Sequence, residues 1–573
     1  MTGIRRISPF AAAAAPGTTF LAWLQWRTSS NPWGARRFTL FDDAMISMDF
    51  ARTLARHGEF TWFRGAPRVQ GFTNPLWTIW MAAVHLIGLD GSSAALAVSV
   101  TSIVLVVLTA RVVFALVNEV CADGGTVGPS IAAGSVFLLY PTVFWSLRGM
   151  EVGAVAFFGV LLLAGAVSWA GTPTRPTSAP VVTAIVLGTA TRFDFMALSI
   201  VAVLLLCTWA PPSLRARVFA VNSSVMVASS GTVLLLQKAY WGSWLPNTYT
   251  LKMSGVALPE RVARGLAASG KFAPVVVLVM VALWAGRLLP PSGLRTLHGA
   301  SAMIATMAAY SVYIGGDAWE SLMLNRFHAT VLPLVVVVVA VGIGGGRARK
   351  MGACLLASIL VPCAGLLIGV TVNPFGWGVP RWAVLEAVLI VGGLASIVAV
   401  KMFGGAAVVP SCLFLFLASV SLLPLAREVR SGNYLASRTN LYVTETVETL
   451  DHLVDDSAVI ATVWAGVPAY YTSNPMIDLL GKNDEGIARS SPHGVFYPGH
   501  NKWDYAHSVG KGQPDVVFQT FTRGLEPDLP ERMRSWGYGK FCTGTGTFPV
   551  DGVWFRKSST HVHWDELTSC PTG

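Results

Sequence analysis

The chain has 573 residues, 53% hydrophobic and only 12% charged, with a mean hydropathy of +0.56. An ordinary soluble domain is about a quarter charged, so this balance excludes a soluble globular enzyme. The formal net charge of +11 does not point to nucleic acid, because the arginines stand in short loops between apolar runs, as positive-inside topology places them.

The N-terminus, Met1 to Trp26, carries Arg5 and Arg6 ahead of an apolar stretch of signal-peptide to membrane-span length. It reads as a retained first span; the run Ala11 to Ala15 is where cleavage would fall instead. With about 20 apolar residues needed per crossing, the candidate spans are 10–26, 73–89, 93–118, 129–147, 152–170, 181–211 (two short helices if broken at Arg192), 218–236, 272–288, 297–314, 328–345, 352–371, 382–400 and 405–425. That makes about eleven to thirteen. Arg215 with Arg217, Arg287 with Arg295, and the cluster Arg347, Arg349 and Lys350 demand the cytoplasm, which puts 237–271, 315–327, 372–381 and the C-terminal tail outside. Arg5 and Arg6 put the loop 27–71 outside as well. The two counts disagree by one crossing between Gly71 and Met150. A broken or re-entrant helix in 93–147, where Pro141 interrupts an apolar run, would reconcile them.

From Arg427 onward the regime changes, since 30 of the 71 Asp, Glu, Lys and Arg residues fall in these last 147 positions. The division expected is a membrane module, 1–426, with an outer loop at 27–71, followed by a soluble domain, 427–573. Helical Val443 to Leu453 and the β-rich runs Ser457 to Val463 and Asp515 to Gln519 make that tail a small α/β domain. No internal repeat is visible, which weakens an inverted-repeat transporter reading. Cys121, Cys207, Cys354, Cys363 and Cys412 lie in or beside apolar runs without metal-ligand spacing and read as small buried hydrophobes. Cys542 and Cys570 stand alone in the polar tail. If that tail is outside the cytoplasm, a disulfide between them closes a loop of about 27 residues and stabilises it by roughly 3 kcal/mol; otherwise they are two unpaired thiols.

Two adjacent acids, Asp42 and Asp43, open the run Phe41-Asp42-Asp43-Ala44-Met45-Ile46-Ser47-Met48-Asp49-Phe50-Ala51-Arg52 in the first outer loop. With Asp42 as cap, 43–57 is expected to form an amphipathic helix on the membrane surface, the acids at its N-terminal end. Adjacent carboxylates repel, so one is pushed toward a higher pKa unless a cation compensates, which suits a general base. On spacing alone a bare helix cap with a solvated neighbour is an equal reading.

An acidic pair after a first span, a surface helix, and then Gly71-Phe72-Thr73-Asn74-Pro75-Leu76-Trp77 opening the next span resembles the GT-C superfamily of polyprenyl-phosphate-sugar-dependent glycosyltransferases. The resemblance is strongest to actinobacterial arabinofuranosyltransferases of the AftB type. Ser146-Leu147-Arg148-Gly149-Met150-Glu151 resembles the family's acidic turn. Arg192-Phe193-Asp194 resembles its Arg-Pro-Asp element, with Phe in place of Pro. Trp241 to Tyr249 with Lys252, and Gly315-Gly316-Asp317 with Arg326-Phe327, are similar to its outer loops. Asp478-Leu479-Leu480-Gly481-Lys482-Asn483-Asp484 and Pro498-Gly499-His500-Asn501-Lys502-Trp503-Asp504 look like its soluble-domain motifs.

The resemblance implies an inverting transfer of a sugar, arabinofuranose by the nearest family, from a polyprenyl-phosphate donor (decaprenyl-phosphoryl arabinose) to an extracytoplasmic cell-wall glycan or lipid-linked acceptor. It implies Asp43 or Asp42 as base, and Lys252, Arg326, Arg192, Asp317, Asn247 and Tyr249 around the donor phosphate. Glu151, Arg148, His500, Lys502 and Asp504 would then meet the acceptor or cover the site. A phosphate leaving group needs no proton, so one base plus positive charge suffices, whereas glycosidases pair two carboxylates. Arg148 and Arg192 can equally snorkel to headgroups, and His500, Lys502 and Asp504 can equally be a network within the tail. A divalent cation, Mg²⁺ or Ca²⁺, between the acidic pair and the donor phosphate is the remaining cofactor expectation, with Asp42, Asp43 and Asp317 equally able to act without metal; His561 and His563 read as exposed histidines, not ligands. The competing reading is a transporter or lipid flippase, signalled by charges within spans, for which Arg111 and Glu386 are the candidates. Trp62, Trp77, Trp80, Trp241, Trp244, Trp319 and Trp377 fall near predicted interfaces and read as belt anchors, or for Trp241 and Trp244 as sugar-stacking rings.

Overall fold

A proline in the first turn, where its missing N–H costs nothing, starts many of the apolar helices. The computed structural model describes residues 8–29, 36–121, 125–320, 325–344, 421, 433–543 and 553–569. The body contains α1 (Pro9–Thr28), α2 (Asp42–His57), α3 (Pro75–Leu86), α4 (Gly91–Val120), α5 (Val127–Val136), α6 (Tyr140–Leu147), α7 (Val152–Gly171), α8 (Ala179–Thr191), α9 (Met196–Trp209), α10 (Pro212–Trp241), α11 (Asn247–Met253), α12 (Leu258–Ser269), α13 (Ala273–Gly286), α14 (Pro291–Ile314) and α15 (Arg326–Gly344).

Among the described residues, four helical stretches are long and apolar enough to cross a membrane: Gly91–Val120, Val152–Gly171, Pro212–Trp241 and Leu258–Gly286. A fifth arises if α5 and α6, bent by 47° at their break, form one span. That bend falls inside the region where the two topology counts disagree. The apolar run 181–211 is broken at Arg192, which is extended (φ −148°, ψ 128°) between α8 and a short 3-10 turn, Phe193–Phe195, leading into α9. The candidate spans 352–371, 382–400 and 405–425 lie outside the described residues, as do Arg347, Arg349, Lys350, Cys354, Cys363, Trp377, Glu386, Cys412 and the Arg427 boundary.

The soluble part contains α16 (Ser437–His452), β1 (Ile460–Thr462), α17 (Val467–Tyr471), β2 (Met476–Asp478), α18 (Glu485–Arg489), β3 (Val516–Val517), α19 (Leu529–Ser535), β4 (Tyr538–Gly539), β5 (Phe541–Thr543), β6 (Trp554–Arg556) and β7 (Leu567–Ser569). A five-stranded sheet runs β2-β1-β3-β6-β4, with β2, β1 and β3 parallel and β6 antiparallel to both β3 and β4. β5 and β7 form a separate antiparallel pair. Cys542 on β5 is disulfide-bonded, while Cys570 lies outside the described residues.

The helix α2 departs from its expected setting. Its N-cap is Phe41, not Asp42, and no side chain caps it. Instead of resting on a membrane surface with one wet face, it packs against both α3 and α17, and ten of its sixteen residues are buried. Asp42 does cap a helix, but a different one: its Oδ1 accepts from the backbone N–H of Gly466 (3.1 Å) and Val467 (2.8 Å) at the start of α17. Gly466 has no room for a side chain, since a Cβ there would lie 2.1 Å from the Asp42 carbonyl oxygen.

Candidate functional site

The C-terminal ends of β1 and β2, neighbouring parallel strands, both face the N-terminal end of α2, and crevices outside such strand ends are where open α/β sheets bind ligands. The chain leaving β1 brings Gly466 and Val467 to Asp42; the chain leaving β2 brings Lys482 to Asp43. The Lys482 turn is fixed from both sides. Asp478 accepts from the N–H groups of Leu480, Gly481 and Asn483. From the membrane body, the Asn247 amide donates to the carbonyls of Gly481, Lys482 and Asp484 at 3.0, 3.0 and 3.2 Å.

A cavity with about 60 Å³ of free space lies between the body and the soluble part. Charge enters its wall through Asp43, Lys252, Arg326 and Lys482, and neutral polar groups through Ser47, Thr73, Asn74, Thr248 and His500. Asp43 accepts from Arg326 at 2.9 Å through Oδ2 and from Lys482 at 3.2 Å through Oδ1. Arg326 is anchored in turn by Asp317, donating from Nε (2.9 Å) and a terminal nitrogen (3.0 Å). Lys252 makes no ion pair among the described residues. The Thr248 hydroxyl is buried and has no partner there either. Burying three cations costs desolvation that such pairs rarely recover, so the cluster is better explained by a site than by stability.

Burial pushes the Asp42 carboxyl up to about 6 in spite of Lys482 and the two N–H groups that favour its ionised form. Burial acts on Asp43 in the same direction, but Lys482 and Arg326, helped by His500 and Lys252, hold it well below the usual carboxylate range. Arg326 likewise outweighs burial at Asp317 and holds it low. Burial, with Arg326 nearby, pulls Lys252 down to about 8, and burial, with Lys482, pulls His500 down to about 4, leaving that imidazole neutral.

A second cavity, with about 310 Å³ of free space, shares Thr73 with the first and is lined by Arg192, Asp194, Ile200, Tyr249, Tyr310 and Tyr313 among others. Arg192 pairs there with Glu151 and Asp194. Glu151 also accepts from Asn74 (2.7 Å), whose own oxygen accepts from Ser47 (2.9 Å), so a polar chain joins the two cavities. Tyr249 meets the Tyr313 hydroxyl at 3.3 Å.

Of the residues expected from sequence, Asp43, Lys252, Arg326 and His500 line the first cavity, and Asp317 backs it through Arg326. Arg192 and Tyr249 line the second, with Glu151 between. Asp42 and Asn247 touch neither cavity; each holds soluble-domain backbone in place. Arg148 is buried beneath, donating to Thr39 at 3.3 Å. Lys502 and Asp504 do not join His500, because the Lys502 ammonium is satisfied by the Ala488 carbonyl (2.6 Å) and the exposed Asp504 receives the His507 N–H (2.9 Å). Lys482, Ser47, Thr73, Asn74 and Thr248 are polar cavity residues to which the sequence assigned no role. A lysine in a Gly-Lys-Asn turn normally projects into water; this one is only 8% exposed.

The acids do not make a divalent-cation site. Asp43 and Asp317 are taken up by Arg326 and Lys482, and Asp42 by backbone N–H groups. Among the described residues no group of three or more His, Cys, Asp or Glu is arranged to hold a metal.

A family model described as a domain of unknown function (DUF8728) matches residues 432–562. No curated protein matches the chain. Among solved structures, ArnT from Cupriavidus metallidurans in the apo state is similar at a TM-score of 0.56 and 14% identity, covering 92% of this chain and 95% of that one. The same protein bound to undecaprenyl phosphate gives a TM-score of 0.58 and 14% identity over 96% and 98%. The chain therefore has the fold of the GT-C membrane proteins: a polytopic helical body carrying a C-terminal α/β domain.

Proposed function

We propose that this chain is an inverting glycosyltransferase that takes a sugar from a polyprenyl-phosphate donor and gives it to a cell-envelope glycan, working on the extracytoplasmic face of the membrane. The observation that carries the reading is one carboxylate, Asp43, facing Arg326, Lys482 and Lys252 in a cavity between the membrane body and the soluble part. In the reaction, an acceptor hydroxyl attacks the anomeric carbon and passes its proton to Asp43. The bond from that carbon to the phosphate oxygen breaks, and its electron pair leaves with the phosphate. The cations stabilise the charge that develops there, and no acid is needed. Lys252, a buried ammonium without a contacting carboxylate, and the unpartnered Thr248 hydroxyl suit an incoming phosphate. Binding of undecaprenyl phosphate by a protein of the same fold supports a lipid phosphate as the leaving group.

Arabinofuranose, as decaprenyl-phosphoryl arabinose, is the donor sugar we favour from the sequence motifs, with the ends of cell-wall arabinan as acceptor. For the flippase alternative, Arg111 lies over the rings of Phe10 and Phe114, and Glu386 falls outside the described residues. The deciding experiment supplies purified protein in nanodiscs with polyprenyl-phosphate arabinose, mannose, glucose and galactose and an alkyl glycoside acceptor. Transfer from one donor, abolished in Asp43→Asn, is expected; no transfer from any of them would sink the reading.

A further inference from the structure

Two cations hold Asp43, and they are not equivalent. Arg326 spends two of its nitrogens on Asp317 and is stacked over Trp145, so it is fixed in place. Lys482 has a single polar partner among the described residues, Asp43 Oδ1 at 3.2 Å. Its backbone is clamped by Asp478 and by Asn247, yet its ammonium sits at the end of a flexible four-carbon stem. The cavity beside the pair is open on one side, so a phosphate arriving there meets both cations. Of the two contacts to Asp43 that cross it, the one from Lys482 is the longer, 3.2 Å against 2.9 Å for Arg326.

We infer that Lys482 is an exchangeable cation: it neutralises Asp43 in the free protein and moves to the phosphate when the lipid-linked donor arrives, leaving Asp43 to Arg326 and able to take the acceptor's proton. The soluble domain is then a working part of the site, because its turn after β2 couples donor arrival to release of the base. The charged and titratable groups facing Asp43 are Arg326 from α15, Lys482 and His500 from the soluble domain, Lys252 from α11, Asp317 behind Arg326, and Asp42 beside it on α2. Of these, only Lys482 and Lys252 combine a full charge with a side chain not anchored to a second carboxylate. Lys252 makes no contact with Asp43 that could be exchanged.

This inference rests on the donor reading above, and a double-mutant cycle on polyprenyl phosphate binding separates the two. The full chain in nanodiscs is titrated with sugar-free polyprenyl phosphate, with the neutral polyprenol as control, for wild type, Asp43→Asn, Lys482→Met, Lys482→Arg and the double variant Asp43→Asn/Lys482→Met. Asp43→Asn frees Lys482 in advance, so it should bind the phosphate about tenfold more tightly than wild type, and Lys482→Met about tenfold more weakly. Lys482→Arg should stay within about threefold of wild type. The gain from Asp43→Asn should shrink to under about threefold when position 482 is methionine, because there is no longer a cation to release. A lysine that only props up its turn would weaken binding equally in both backgrounds. Equal gains, or wild-type affinity in Lys482→Met, would therefore overturn the exchange while leaving the donor reading intact. If wild type prefers polyprenyl phosphate no more than polyprenol, the donor reading itself falls and the exchange with it.

Discussion

Asp43 and Asp42 are neighbours in sequence with opposite environments, and the difference decides their tasks. Asp43 looks into the cavity between two cations, whereas Asp42 looks away from it into the backbone of α17. Asp43→Asn is expected to lower kcat by about 10²- to 10⁴-fold, the usual worth of a positioned base, without loss of lipid phosphate binding. If Lys252 receives the donor phosphate as proposed, it should set the pH dependence of donor capture. Its ammonium is held down to about 8 in the empty site, so it is charged below that pH and attracts phosphate, and is neutral above it. The donor KM should accordingly rise as pH climbs through about 8; in Lys252→Arg that rise should vanish, since guanidinium does not titrate there. A KM flat from pH 7 to 9 in wild type would contradict the assignment. The acidic pair stands out in the sequence; which member faces the cavity does not, because two adjacent residues at a helix start differ in direction by about 100°, and only the neighbours decide which direction is inward.

At the scale of elements, the site is a junction between the start of α2 and the ends of β1 and β2. Asp42 caps α17 across that junction, so Asp42→Ala should cost about 1 to 2 kcal/mol of stability, read as a lowered melting temperature in detergent. Gly71 makes a second close approach at the junction, to a side chain rather than to backbone: a Cβ there would stand 1.8 Å from Asn483 Oδ1, and that amide has no hydrogen-bond partner among the described residues. Gly71→Ala is expected to turn the Asn483 side chain aside and to lower the melting temperature less than Asp42→Ala does; an equal or larger drop would show that the Asn483 turn cannot adjust. Helix α2 itself was legible as an amphipathic run over 43–57, and in the structure it ends at Gly58, whose φ of 69° is left-handed. Its surroundings were not, since an amphipathic pattern shows that one face is buried but does not identify what buries it. The same holds for Asn247 and Lys482, separated by 235 residues: each motif was visible, and their contact was not.

At the scale of the molecule, a helical membrane body and a small α/β domain close around one cavity. If that cavity faces away from the cytoplasm, a single cysteine placed at exposed Arg489 should react with a membrane-impermeant maleimide in intact cells, and one at Arg217 only after permeabilisation; the reverse pattern would invert the topology. The amino-acid sequence by itself determined the class of the protein, because bilayer-length apolar runs and a shift in charge near the tail follow from transfer free energies that need no partner to be read. It also offered Arg192 and the neighbourhood of Pro141 as places for a break, and helices do part at Arg192 and between Val136 and Tyr140. Tertiary structure alone decided that Asp42 is a docking residue, that Lys502 and Asp504 serve the soluble domain, and that Lys482 reaches Asp43. The physical reason is that an ion pair is fixed by distance and desolvation, and neither exists until segments far apart in the chain have been packed against each other.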